Sequence, residues 1–310
     1  MKKFSLRVVG LFFLISCGTG GTTNEILPDV PEGAEALSVT GSPLYAPVAP
    51  AAYKEKFRAA KEEWEADVTN ANKLIWYGRW AAYCGDYREA IRIFTEGINS
   101  FPEDARMLRH RGHRYISIRE FEKAVADFEK AAGLVSGQPD EVEPDGMPNP
   151  LNIPVSTLQS NIFYHLGLAR YLLGDLEGAL EAWKSDMAMN VNDDMTVATL
   201  HWIYMALREL GRNEEAMASL GVVSSDMRVI ENQAYHRLCM FYKGEMTLEE
   251  LTDGTGQSEI MNDAMLFGLG NWFLYNGDKD SAQNHFNQII EGGSWASFGY
   301  IAAEVKLAGF

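Results

Sequence analysis

From Ala51 to the end of the chain, apolar and small residues recur at helical spacing, whereas Gly18 to Pro50 shows no helical period. Ala51 to Val68 reads as a charged amphipathic helix carrying Phe57 and Trp64. Beyond it the pattern repeats itself. Gly78 and Gly112, Ala90 and Ala124, and Phe94 and Phe128 are each 34 residues apart. Gly and Ala let two helices approach closely, while Tyr87, Phe94, Phe121 and Phe128 fill the volume between them. Pro102 ends the second helix of the first pair. The spacing therefore predicts an all-α chain of antiparallel helix pairs.

A third copy carries Gly167, Gly174, Ala179 and Trp183, with about 21 extra residues ahead of it. Gly211 with Ala216 marks a degenerate fourth copy, Gly244 a weak fifth, and Gly270, Gly277, Ala282 and Phe286 a clear sixth. Ser294 to Leu307 reads as a terminal helix covering the last apolar face, as 51–70 covers the first. These landmarks and their period resemble the tetratricopeptide repeat (TPR) over roughly residues 71–291. The resemblance implies a right-handed superhelical solenoid with terminal capping helices, spanning 71–310 after the capping segment.

The family also implies a concave groove lined by five positions of each first helix. In the first repeat they fall on Asn72, Ile75, Arg79, Ala82 and Tyr83, and in the second on Arg106, Arg109, His113, Ile116 and Ser117. In the third they fall on Asn161, Tyr164, Leu168, Tyr171 and Leu172. Arg79, Tyr83, Arg106, Arg109, His113, Asn161 and Tyr164 are thus the ligand-binding candidates. The arginines offer planar forks for a carboxylate. Ile75 and Arg79 depart from the carboxylate clamp of chaperone-binding members, which argues against a chaperone tail but leaves an acidic segment or a free carboxylate as ligand. The alternative is that these arginines pair with acids of their own chain.

The extra residues, at about 134–158, form a Pro-rich acidic insert whose Asp140, Glu141, Glu143 and Asp145 can serve as a lid or as a fixed latch over the groove. Together with Arg109 to Ser117 (RHRGHRYIS), the insert resembles a set of bacterial TPR proteins of uncharacterised role. His110 and His113, at i and i+3, are the metal-ligand candidates. Their spacing is not HExxH, so structural histidines and no metal or cofactor are the expectation. No phosphate loop, nucleophile elbow or paired-cysteine motif is present, so no catalytic residue is assigned and the chain reads as a non-enzyme.

The amino terminus changes the picture of location. Lys2, Lys3 and Arg7 precede the apolar run Val8 to Ile15, too short to span a bilayer. Leu14-Ile15-Ser16-Cys17 resembles a bacterial lipobox, which implies a signal peptide over 1–16, lipidation of Cys17 and a flexible tether over 17–50. Gly18 after the cysteine implies outer-membrane sorting in a diderm host. The net charge of −16 excludes bulk attraction to nucleic acid. The expectation is a lipid-anchored envelope scaffold that holds a protein or peptide in its groove. The competing expectation is an enzyme, or a small-ligand or metal-binding protein, using the His/Arg groove under the insert.

Overall fold

A computed structural model describes residues 27–189, 192–253 and 262–310. The helices come in pairs. They begin with α1 (Ala51–Ala66), followed by α2 (Ala71–Tyr83) with α3 (Tyr87–Ser100), and α4 (Ala105–Ser117) with α5 (Phe121–Val135). After the insert come α6 (Leu158–Leu172) with α7 (Leu176–Met189), and α8 (Asp193–Glu209) with the short α9 (Asn213–Ser219). The chain ends with α10 (Gln233–Tyr242) and α11 (Leu248–Asp253), α12 (Asp263–Tyr275) and α13 (Lys279–Gly292), and α14 (Phe298–Ala308). The fold is an all-α solenoid of TPR-type helix pairs. Among the described residues, no helix is long and apolar enough to cross a membrane.

Local sequence sets where the first helices start. Asn70, Asp104, Thr157, Asn192 and Asn262 each accept a backbone N–H of the first turn of α2, α4, α6, α8 and α12. Such a cap contributes about 1 kcal/mol. The pairing within each repeat rests on one recurring contact. A methyl group added at Gly78 would stand 2.5 Å from the Phe94 ring, and one at Gly112 would stand 2.9 Å from Phe128. Gly167 against Trp183 and Gly270 against Phe286 repeat the arrangement. The corresponding residues of the fourth and fifth copies are Tyr204 and Arg237, and there the second helices α9 and α11 are short. Tyr204 instead stacks on Tyr242 at 4.3 Å.

The turns between paired helices also repeat. Gly85, Gly174, Gly211, Gly244 and Gly277 all adopt the left-handed conformation. In the second pair Arg119 occupies this place, with φ of 67°. Its side chain explains why an arginine is kept there. Arg119 Nε lies 2.9 Å from Glu304 of α14, and Arg119 also donates to the carbonyls of Ser117 and Trp295. The C-terminal segment thus does more than cover α12 and α13. It returns across the concave side to the second pair, and Phe298 lies 5.1 Å from the His113 ring.

Two expectations need correction. Residues 27–50, read as part of a flexible tether, form the hairpin β1 (Ala36–Leu37) and β2 (Pro43–Leu44) and bury Ala34, Ala36 and Leu44. Glu35 accepts the Arg88 N–H, and Tyr45 O accepts Trp295 Nε1 at 2.8 Å, so this segment is bound to both ends of the solenoid. Cys17 and the remainder of the proposed tether lie outside the described residues. The second correction concerns the groove of the third repeat, which is not open. Tyr164, Leu168, Tyr171 and Leu172 are all buried, because α8 and α14 pack over them.

Candidate binding site

The concave face carries a roofed cavity of about 220 Å³, between α2, α4 and the insert. Arg79 and Tyr83 come from α2, His110, His113, Arg109 and Arg114 from α4, and Asn161 from α6. The roof is supplied by Glu143, Pro144, Asp145 and the stretch Pro154 to Ser156. The structure therefore brings together Arg79, Tyr83, Arg109, His113 and Asn161. Arg106 and Tyr164 do not join them.

The insert is pinned at its base and across its span. Val142 bridges to Thr157, Glu143 N donates to Ser156 O at 3.2 Å, and Leu158 N donates to Glu141 O at 2.8 Å. Asp140 Oδ1 accepts the Gln159 N–H at 3.0 Å and so anchors the start of α6. Farther out, Arg79 donates to Pro144 O, Tyr53 Oη contacts Met147 Sδ at 2.9 Å, and Asn149 donates to Glu231 at 2.6 Å. Gly146 lies so close to the Tyr83 ring that an added methyl group would stand 2.7 Å from it. Of the four acidic residues expected to form a lid or latch, Asp140 holds the base. Asp145 accepts the Met147 N–H, and Glu141 lies on the far side of the insert in a separate depression. Glu143 alone reaches inward.

Glu143 is the electrostatic centre of the cavity. Its Oε2 lies 2.9 Å from Arg109 Nε, as an ion pair rather than a well-aligned hydrogen bond, and accepts from Asn161 Nδ2 at 3.1 Å. Oε1 lies 3.7 Å from His110 Nε2. The Arg109 and Glu143 side chains are only 9% and 10% exposed. Burial lowers the pKa of Arg109 and Glu143 partly restores it. His110 and His113 are held well below the ordinary histidine value, first by burial and then by the nearby guanidinium groups. Both are neutral at neutral pH; His110 accepts from Arg109 through Nδ1 at 3.1 Å and stacks on Phe94, while His113 lies at a tilt against His165. Among the described residues, no three His, Cys, Asp or Glu side chains are placed to hold a metal ion.

Arg106, expected to face the ligand, turns away. It pairs with Asp104 at 2.5 Å and donates to Asn72 at 2.6 Å, beside an open depression of about 720 Å³. The N-cap aspartate two residues before it satisfies the guanidinium locally. Tyr164 is buried and accepts Trp202 Nε1 at 2.8 Å, which makes it a core residue.

Sequence reasoning missed Arg114. It is half-buried, lies over the Tyr87 ring at 5.2 Å, and has no carboxylate within ion-pair distance among the described residues. Burial, offset by the Tyr87 ring and augmented by Arg109, brings its pKa down to about 10, so it remains charged at neutral pH. The signal was present in the sequence: the residues three and four positions either side are His110, Arg111, Ser117 and Ile118, none of them acidic.

No protein-family model and no curated protein matches the chain. Among solved structures, MamA is 18% identical with a TM-score of 0.43, covering 54% of this chain and 84% of its own. YrrB, described as a TPR protein with an unusual peptide-binding site, is 15% identical with a TM-score of 0.42, covering 82% of this chain and all of its own. Likeness at that level does not extend to ligands.

Proposed function

We propose that this protein is a noncatalytic adaptor that holds a protein or peptide against its concave face, at the cavity under the insert, and is carried on a bacterial envelope membrane by a lipid on Cys17. The observation that carries this reading is the cavity itself, which gathers Arg79, Arg109 and Arg114 around the one inward-reaching carboxylate of Glu143, with the exposed Asp145 and Glu231 also lining it. The insert that supplies its roof also exposes Val142, Met147, Leu151 and Ile153. Exposed apolar side chains gathered on a short loop beside a charged recess suit a protein-facing surface.

The test is in-cell crosslinking and pull-down of the full-length protein beside Arg79→Glu, read by mass spectrometry. A defined partner recovered with the native chain and lost with the variant supports the adaptor. Equal recovery with both removes the cavity from partner binding. For the anchor, palmitate labelling should disappear in Cys17→Ala, and persistent labelling would place the lipid elsewhere. A second reading, a small-ligand binder, is favoured by the roof, because Glu143, Pro144 and Asp145 enclose the recess more than an extended peptide requires.

A further inference from the structure

The three guanidinium groups facing the cavity are satisfied unequally. Arg79 lies over the Trp76 ring at 4.5 Å and donates to Pro144 O at 2.5 Å and to Tyr83 Oη at 3.1 Å, both neutral acceptors. Arg109 has Glu143. Among the described residues Arg114 has the face of Tyr87 and no carboxylate. A guanidinium withdrawn from water without a counterion is costly, and its planar fork matches a carboxylate. Glu143 demonstrates that this wall accepts one: the side chain enters from the insert and is received by Arg109 and Asn161 with neutral His110 beside it. The other two carboxylates of the lining, Asp145 and Glu231, are exposed and already accept from Met147 N and Asn149 Nδ2. The interior of the recess therefore holds three cations against one anion.

We propose that Arg114, with Arg79 beside it, seats the carboxylate of a ligand that enters under the insert and lies next to Glu143. This rests on the concave-face binding function and names its ligand chemistry. Glu143 has two effects in that arrangement. It neutralises Arg109 in the empty protein, and it repels the incoming carboxylate, so the insert sets the affinity of the site it roofs. The carboxylate can belong to a peptide C-terminus or to a free small acid, and the two sources are separable.

The experiment is calorimetric titration of the full folded chain with acetyl-tetra-alanine bearing a free C-terminus, with the same peptide amidated, with sodium succinate and with inorganic phosphate. Native protein should bind at least one carboxylate probe and not the amide. Arg114→Gln should weaken binding at least tenfold with an unchanged circular dichroism spectrum. Glu143→Gln should tighten it several-fold, and Arg106→Gln, outside the cavity, should leave it unchanged. Preference for the peptide identifies a chain terminus as the source, and preference for succinate a free acid. Equal binding of free and amidated peptide, preference for phosphate, unchanged binding in Arg114→Gln, or no carboxylate binding by either native or Glu143→Gln protein would overturn the proposal. Its failure is distinguishable from failure of the adaptor reading. A cellular partner lost in Arg79→Glu but retained in Arg114→Gln would keep the adaptor and remove the carboxylate seat.

Discussion

Arg119 sets a backbone cost against a tertiary contact, and the balance is measurable. At φ of 67° it holds a conformation that glycine supplies in the other turns. An arginine there costs about 1 kcal/mol more than glycine would. Its side chain pairs with Glu304, and both are 6% exposed, so removing one partner leaves a buried charge. That loss costs about 3–5 kcal/mol. Arg119→Gly should therefore destabilise the protein by roughly 2–4 kcal/mol in spite of relieving the backbone. Arg119→Ala, which gains no relief, should be about 1 kcal/mol worse. Arg119→Gly with Glu304→Leu should recover much of the loss, since no unpaired charge remains. Urea unfolding followed by far-UV circular dichroism gives the stabilities, and limited proteolysis reports release of the segment after Gly292. An Arg119→Gly protein as stable as the native one, with its C-terminal segment equally protected, would refute the reasoning.

Two further predictions concern packing and pH. Gly78→Ala places a methyl group against Phe94 and should destabilise by about 1–3 kcal/mol in the same assay. Gly133→Ala, on an open part of α5, should stabilise by about 0.5–1 kcal/mol, and a reversal of these signs would contradict the close-approach account. His165 and His201 are pushed down to about 3, both by burial and His165 also by Arg109. Their depressed values mean that the unfolded chain binds more protons below its own pKa of about 6.5. The stability they contribute is present above that pH and is lost as pH falls towards 3. Each should remove about 2 kcal/mol between about pH 7 and about pH 5, and a flat urea midpoint over that window would contradict it.

Much of this fold was legible in residue identity because its determinants are local. Gly78 with Phe94, and Gly112 with Phe128, must be small against large for two helices to touch, so their spacing declared the pair. Helix ends were legible for the same reason at Pro102 and the turn glycines, whereas the caps Asn70 and Asp104 were seen only in the structure. The hairpin over 36–44 was not, since it buries only a few small residues and depends on the distant Arg88 and Trp295. Nor was the return of α14 to Arg119, a contact with no period to reveal it.

The site divides along the same line. The register placed Arg79, Arg109, His113 and Asn161 together, and composition suggested an acidic insert above them. The register also selected Arg106, wrongly, and passed over Arg114. Arg106 was neutralised by an aspartate two residues away that already served as a helix cap, while Arg114 was left facing a recess by the absence of acids at helical spacing.

The central claim, that partners meet this protein at the roofed cavity of its concave face, is tested most directly by site-specific photocrosslinking in cells. A photoreactive residue would replace Leu151, 62% exposed on the insert, or Met217, 44% exposed on α9. The account predicts a defined adduct from position 151 and none from position 217. An adduct from position 217 with none from 151 would contradict it.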